Sequence, residues 1–146
     1  RRPVSEGIRR TLIVDTSALI AYFDRGDQAH AAVSAVIDTA TEPLVVPPYV
    51  VAEVDLIVAT RRGVDRELAV LGELASGAWD LPSFDVEDLA EARTIVQRYA
   101  DQDLGVTDAS IVVLASRFKT RTILTLDHRH FDIVRPLTGG RFRVLP

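Results

Sequence analysis

The sequence contains no cysteine and no methionine, and of its 17 cationic side chains only Lys119 is a lysine. Without cysteine there are no disulfides, no thiolate metal sites and no thiol nucleophile. That suits a reducing compartment, and a cytoplasmic location is expected. No apolar run approaches the roughly 18 residues that cross a bilayer, because Asp15 interrupts the first one. Nor does the start, "RRPVSEGIRR", lead into an apolar segment of signal-peptide type. The net charge of −4 and pI near 5.3 argue against a protein that coats nucleic acid with a broadly basic surface. They leave room for a local grip by arginine, whose planar fork suits phosphate.

What is present is enough for one core: 146 residues, 47% of them apolar. No repeat, linker or composition break divides the chain. Residues 1–10 are expected to be a basic arm, either a solvated or non-native tail or a contact to RNA; the tail is the preferred reading. Strands alternate with helices after that. Thr11–Val14 reads as a buried strand, 17–24 as a short helix, and 27–40 as a helix with Ala29, Val33, Val36, Ile37 and Ala40 at helical spacing. "EPLVVPP" is a strand whose prolines open the helix 49–62, with Gly63 its natural stop. A helix over about 65–76 places Val64, Leu68 and Leu71 on one stripe, and Gly77 ends it. "AWDLPSF" is predicted to be a short strand. The helix 85–100 carries Val86, Leu89, Ile95, Val96 and Tyr99, with acids in its first turn where the macrodipole favours them. The helix 106–118 repeats Ile111, Leu114, Ala115 and Phe118; "RTILTLD" and "RFRVLP" are the last strands. The expected fold class is α/β, a three-layer α/β/α sandwich around a mainly parallel sheet.

Two strands end on aspartate, Asp15 and Asp127. In an open parallel sheet the working crevice lies beyond the carboxyl ends of the strands, so two such residues at one rim suggest one site. Each alone has a plainer role as a helix N-cap. Glu53 is spaced to face the apolar stripe of its helix, three residues after Val50 and four before Ile57. There it should meet a cation, a hydrogen-bonding partner or water; Arg61 or Arg62 is the ordinary partner. Asp108 opens a helix that Thr107 could cap instead, freeing the acid. Together Asp15, Glu53, Asp108 and Asp127 form an oxygen-ligand set typical for Mg²⁺ or Mn²⁺. Such a site activates water and neutralises a phosphodiester without a nucleophilic side chain.

At these residues the sequence resembles the PIN-domain ribonucleases, and more closely the VapC-type toxins of bacterial toxin–antitoxin pairs. The matching stretches are "IVDTSALIAYFD", "PPYVVAEV", "YADQDLGVTDASIVVLA" and "ILTLDHRHFDIVRP", in order from about Leu12 to Pro136. The resemblance makes residues 11–146 a single PIN domain and places the family's metal-binding, catalytic acids on Asp15, Glu53, Asp108 and Asp127. It matches the family's small hydroxyl to Thr16, with Ser17 beside it, to hold Asp15 or orient water; their plainer role is helix capping. Asp101 and Asp103 are weaker candidates in the same acidic loop. The resemblance further implies an endoribonuclease acting on tRNA or rRNA with Mg²⁺ (or Mn²⁺) as cofactor, leaving 5′-phosphate and 3′-hydroxyl ends. It also implies a homodimer silenced by a cognate VapB-type antitoxin.

The remaining polar residues are weighed singly. Arg129, with His128 and His130 beside it, is a candidate for substrate phosphate, an exposed loop being the plainer reading, and Arg25, Arg61 and Arg62 are candidates for RNA specificity. His30 reads as a packing residue, and neither His128 nor His130 is needed as a ligand by a hard-metal site. Trp79 and Phe131 read as core. Two other functions stay open: a PIN fold kept as a non-catalytic RNA- or protein-binding module, and an aspartyl-phosphate phosphatase or receiver. Against the last, position 17 is serine rather than a second Asp, and Lys119 precedes its strand.

Overall fold

The computed structural model describes residues 11–146; the basic arm lies outside them. Four strands, β1 (Leu12–Val14), β2 (Leu44–Val45), β3 (Thr122–Leu124) and β4 (Arg143–Leu145), form one sheet in the order β2-β1-β3-β4. Every pairing is parallel, with Val14 opposite Leu124 at the carboxyl end of the central pair. In a strand, successive side chains point to opposite faces. Ile13 and Val14, like Ile123 and Leu124, are fully buried, so both faces of the centre are covered. This is the expected three-layer arrangement.

Among the described residues, seven helices supply the cover: α1 (Thr16–Phe23), α2 (His30–Thr39), α3 (Pro48–Arg62), α4 (Val64–Leu74), α5 (Val86–Arg98), α6 (Val106–Arg117) and α7 (His128–Ile133). α3 starts with Pro48 in its first turn and stops at Gly63, whose φ of 86° favours glycine. α5 starts at a reciprocal capping box between Asp85 and Asp88. Arg117, in the last turn of α6, reaches Asp88 at 2.8 Å and the Ser83 carbonyl at 2.6 Å, pinning the two helices together. α6 is buried on every side from Ala109 to Ala115, more than its stripe of Ile111, Leu114 and Ala115 indicated, because it packs against α3, α5 and β1 at once. Trp79 and Phe131 are in the core.

Several expectations need correction. The α4 stripe is rotated: Val64 and Leu68 are each 61% exposed, while Val70 and Leu74 are buried. The helix has one face against α3, and the residues that fit it are not the ones at its amino end. "AWDLPSF" makes only a single parallel bridge, Asp80 to Val45. The edge strand β2 offers two residues, and Pro82 has no N–H to extend a ladder. Val86 and Leu89 are exposed, and the inner face of α5 is carried by Ala92 and Ile95. α7 replaces the loop expected after Asp127.

Ile123, fully buried at the centre of the sheet, and Leu68 test this layout. Ile123→Ala is expected to lower the unfolding free energy by about 2–5 kcal/mol, and Leu68→Ala by less than about 0.5 kcal/mol. Urea titration measures both; equal losses would mean that the outer face of α4 is covered.

Candidate active site

Asp15 follows β1 directly. Its own N–H donates to the Leu124 carbonyl at 2.9 Å, extending the ladder by one bond before the chain turns into α1. Its side chain is folded inward and the residue is 6% exposed. The Thr16 N–H donates to Oδ1 at 2.7 Å, and the Thr125 hydroxyl donates to Oδ2 at 2.7 Å. Burial raises the Asp15 pKa above the ordinary carboxylate range; these two bonds oppose that, and the charges of Asp127 and Glu53 add to it.

Asp127 is the N-cap of α7, accepting weakly from the His130 N–H at 3.4 Å. Asp108 sits in the first turn of α6, where Gly105 is the N-cap and no side chain caps the helix. Thr107 does not cap it either: its hydroxyl donates to Glu53 Oε2 at 2.9 Å. Asp108 is thus free of local duties, and burial first, then the Asp15 charge, lift its pKa to about 6. Asp127 and Glu53 push in the same direction, and His130 opposes them.

The four sequence-selected acids therefore act on one another, although they come from α3, α6 and the ends of β1 and β3. Glu53 departs from expectation in one respect. It is exposed beside the buried stripe Val50, Val54 and Val58, rather than facing it. Its partner is Thr107, not Arg61 or Arg62. Asp101 and Asp103 lie exposed in the turn before α6, outside the set of charges that perturb Asp15 and Asp108.

Two further corrections concern the hydroxyls and the histidines. Thr16 serves Asp15 through its backbone N–H, while its buried hydroxyl has no partner among the described residues. Ser17 does not hydrogen-bond Asp15; it lies 3.2 Å from the Thr125 hydroxyl and accepts the Leu126 N–H at 2.9 Å. Thr125 was passed over in the sequence, yet "TLD" places a hydroxyl two residues before the strand-ending acid, and that was the available signal. The histidine at the site is His130. Its buried Nδ1 lies 2.9 Å from Asp127 Oδ2 and 3.4 Å from Asp108 Oδ2, aligned for a hydrogen bond with neither. His128 and Arg129 are exposed in the first turn of α7. His30 ties α2 to the Ala21 carbonyl at 2.8 Å. Arg25, Arg61 and Arg62 line an open cleft of about 1040 Å³ among α1, α2, α3 and α4, beside Ile20, Phe23 and Arg66.

Among the described residues, no three histidine or carboxylate side chains converge closely enough to hold a metal ion. The donor chemistry nonetheless fits a hard divalent cation: the four acids offer only oxygen donors, Asp15 and Asp108 are partly desolvated, and their charges repel one another.

The model of the PIN domain matches residues 12–135. The chain is 58% identical over 135 residues to Ribonuclease VapC26 of Mycobacterium tuberculosis, covering 92% of this chain and all of that protein. Among solved structures it is similar to M. tuberculosis VapC20, described as a Sarcin-Ricin loop cleaving toxin, with TM-score 0.80 and 16% identity over 92% of this chain and 99% of that one. It is also similar to the DNA-bound VapBC of Salmonella typhimurium, with TM-score 0.67 and 18% identity over 92% and 97% of the two chains. At those identities the solved structures speak for the fold, which agrees with the sheet described above. The chain belongs to the PIN-domain family and, within it, to the VapC ribonucleases.

Proposed function

We propose that this chain is a metal-dependent endoribonuclease toxin that cuts structured RNA, a tRNA or an rRNA, at the acidic rim formed by Asp15, Glu53, Asp108 and Asp127. The observation that carries this reading is the gathering of four like-charged groups from distant parts of the chain around the carboxyl ends of β1 and β3. Such crowding costs stability and is sustained by a function that needs it. Asp15, Asp108, Glu53 and Asp127 would hold the divalent ion, Mg²⁺ or Mn²⁺. When bound, the ion acidifies water and neutralises charge on the phosphodiester. The chain's residues do the rest: Asp15 and Asp108 offer carboxylates screened from solvent, and the Thr16 hydroxyl is free to orient a water. Arg129 and His128 stand exposed on α7, available for substrate phosphate. Hydrolysis of the P–O3′ bond leaves 5′-phosphate and 3′-hydroxyl ends.

The names of the relatives support the biological setting. VapC20's description supports structured RNA as the substrate, and the VapBC assembly supports a VapB-type antitoxin as the silencing partner. Homodimerisation and action in the cytoplasm belong to the same proposal, as does the reading of residues 11–146 as one PIN domain. The aspartyl-phosphate alternative lacks its lysine: Lys119 precedes β3, at the opposite end of the parallel pair from Asp15.

Chelator-stripped protein incubated with total tRNA and rRNA is expected to cut discrete sites only when Mg²⁺ or Mn²⁺ is restored. Asp15→Asn and Asp108→Asn should each lower the cleavage rate by at least about 10²-fold with the circular dichroism of the folded chain intact. Full cleavage by either variant would remove that residue from the site.

The metal-free protein should also show a pH signature. The folded pKa of Asp108, about 6, stands above the ordinary aspartate value of 3.8. The folded state therefore holds the proton more tightly between these values, and stability should fall as pH rises from about 4 to 6. Asp108→Asn should flatten this slope in denaturation midpoints measured with chelator. An unchanged slope would mean that another group sets it.

A further inference from the structure

One oxygen atom is shared by the two aspartates that end the central strands. Thr125 is fully buried at the first position after β3. Its hydroxyl donates to Asp15 Oδ2 at 2.7 Å across 110 residues of sequence. The same oxygen accepts the Asp127 N–H at 2.9 Å. A hydroxyl has one proton and two lone pairs, and Ser17, 3.2 Å away, takes the remaining place. With Asp15 ionised, the direction of the chain is settled: the Leu126 N–H donates to Ser17, Ser17 to Thr125, and Thr125 to the carboxylate. Donors polarised in series strengthen the last bond.

The two bonds to Asp15 are not equivalent. The Thr16 N–H belongs to the adjacent peptide and accompanies Asp15 wherever the start of α1 moves. The Thr125 bond is the side-chain contact that references the carboxylate to β3. It also references Asp15 to Asp127, whose backbone hangs from the same atom.

We propose that Thr125 is a positioning residue, whose one buried hydroxyl sets the orientation of Asp15 relative to Asp127 and thereby the affinity of the acidic rim for a divalent cation. This rests on the reading that Asp15 holds such an ion. Partners of ligating groups affect metal affinity by about 10–100-fold. Valine at position 125 would keep the shape, leave Asp15 Oδ2 without its donor and the Asp127 N–H without its acceptor, and turn the Ser17 proton elsewhere.

The test is Mn²⁺ binding by calorimetry to the full, chelator-stripped chain, with urea midpoints recorded alongside. Thr125→Val is expected to weaken Mn²⁺ binding roughly 10–100-fold, Thr125→Ser to bind as the unaltered chain does, and Asp15→Asn to lose most binding. If Thr125→Val binds Mn²⁺ normally while Asp15→Asn does not, the positioning role is wrong and the metal reading stands. If Asp15→Asn also binds normally, the metal reading itself falls, and the proposal with it. If Thr125→Ser weakens binding as much as valine does, the methyl group matters rather than the hydroxyl, and the proposal is overturned. Should the valine variant not fold, Thr125→Cys replaces it: a weak donor should give intermediate affinity, and normal affinity would overturn the proposal.

Discussion

Everything at the acidic rim depends on the parallel pairing of β1 with β3. These strands are three residues long and more than a hundred residues apart in sequence, yet they form the centre of the sheet. Their register, with Val14 opposite Leu124, brings Asp15 level with Thr125 and leaves Asp127 just beyond. A slip of one residue would turn each buried strand side chain to the other face, and it would also part Asp15 from the hydroxyl that holds it. Burial of Ile13, Val14, Ile123 and Leu124 therefore stabilises the fold and aligns the site in the same act.

That alignment has an electrostatic cost, and the chain offsets it unevenly. Asp15, the most enclosed of the acids, receives a backbone and a hydroxyl donor. Glu53 receives one hydroxyl. Asp127 has a long backbone bond and the nearby imidazole of His130. Asp108 has no hydrogen-bond donor among the described residues, only the shared neighbourhood of His130, and burial and the Asp15 charge raise its proton affinity. Replacing one of these acids with its amide would relieve part of that repulsion.

Elements governed by local chemistry were legible from residue types. Pro48 and Gly63 bound α3 where a proline and a glycine should, and Asp85 with Asp88 caps α5. The three-residue spacing within α6 marked it as a packed helix, though not that it would be buried on every side. Misreadings arose where several apolar residues competed for one face. Val64 and Leu68 looked as suitable for the core as Val70 and Leu74, and only the place of α4 against α3 chose between them. The stretch around Trp79 had strand composition, but its neighbour β2 was too short to pair with more than Asp80.

The same division runs through the site. Residue chemistry picked out Asp15, Asp127 and Asp108, because carboxylates at strand ends and a helix start stand out against an apolar background, whereas Glu53 was chosen on a helix-face reading that its exposure corrects. It could not say which neutral groups would serve them. Thr16, adjacent to Asp15, gives it a peptide N–H, while the hydroxyl contact comes from Thr125 on another strand. His130 rather than His128 turns toward the acids, since α7 places residues three apart, not one apart, on the same side. Which acids are available follows from composition and spacing, properties a chain carries before it folds. Which hydroxyl and which imidazole answer them depends on strand register and helix phase, and those exist only once the sheet has paired.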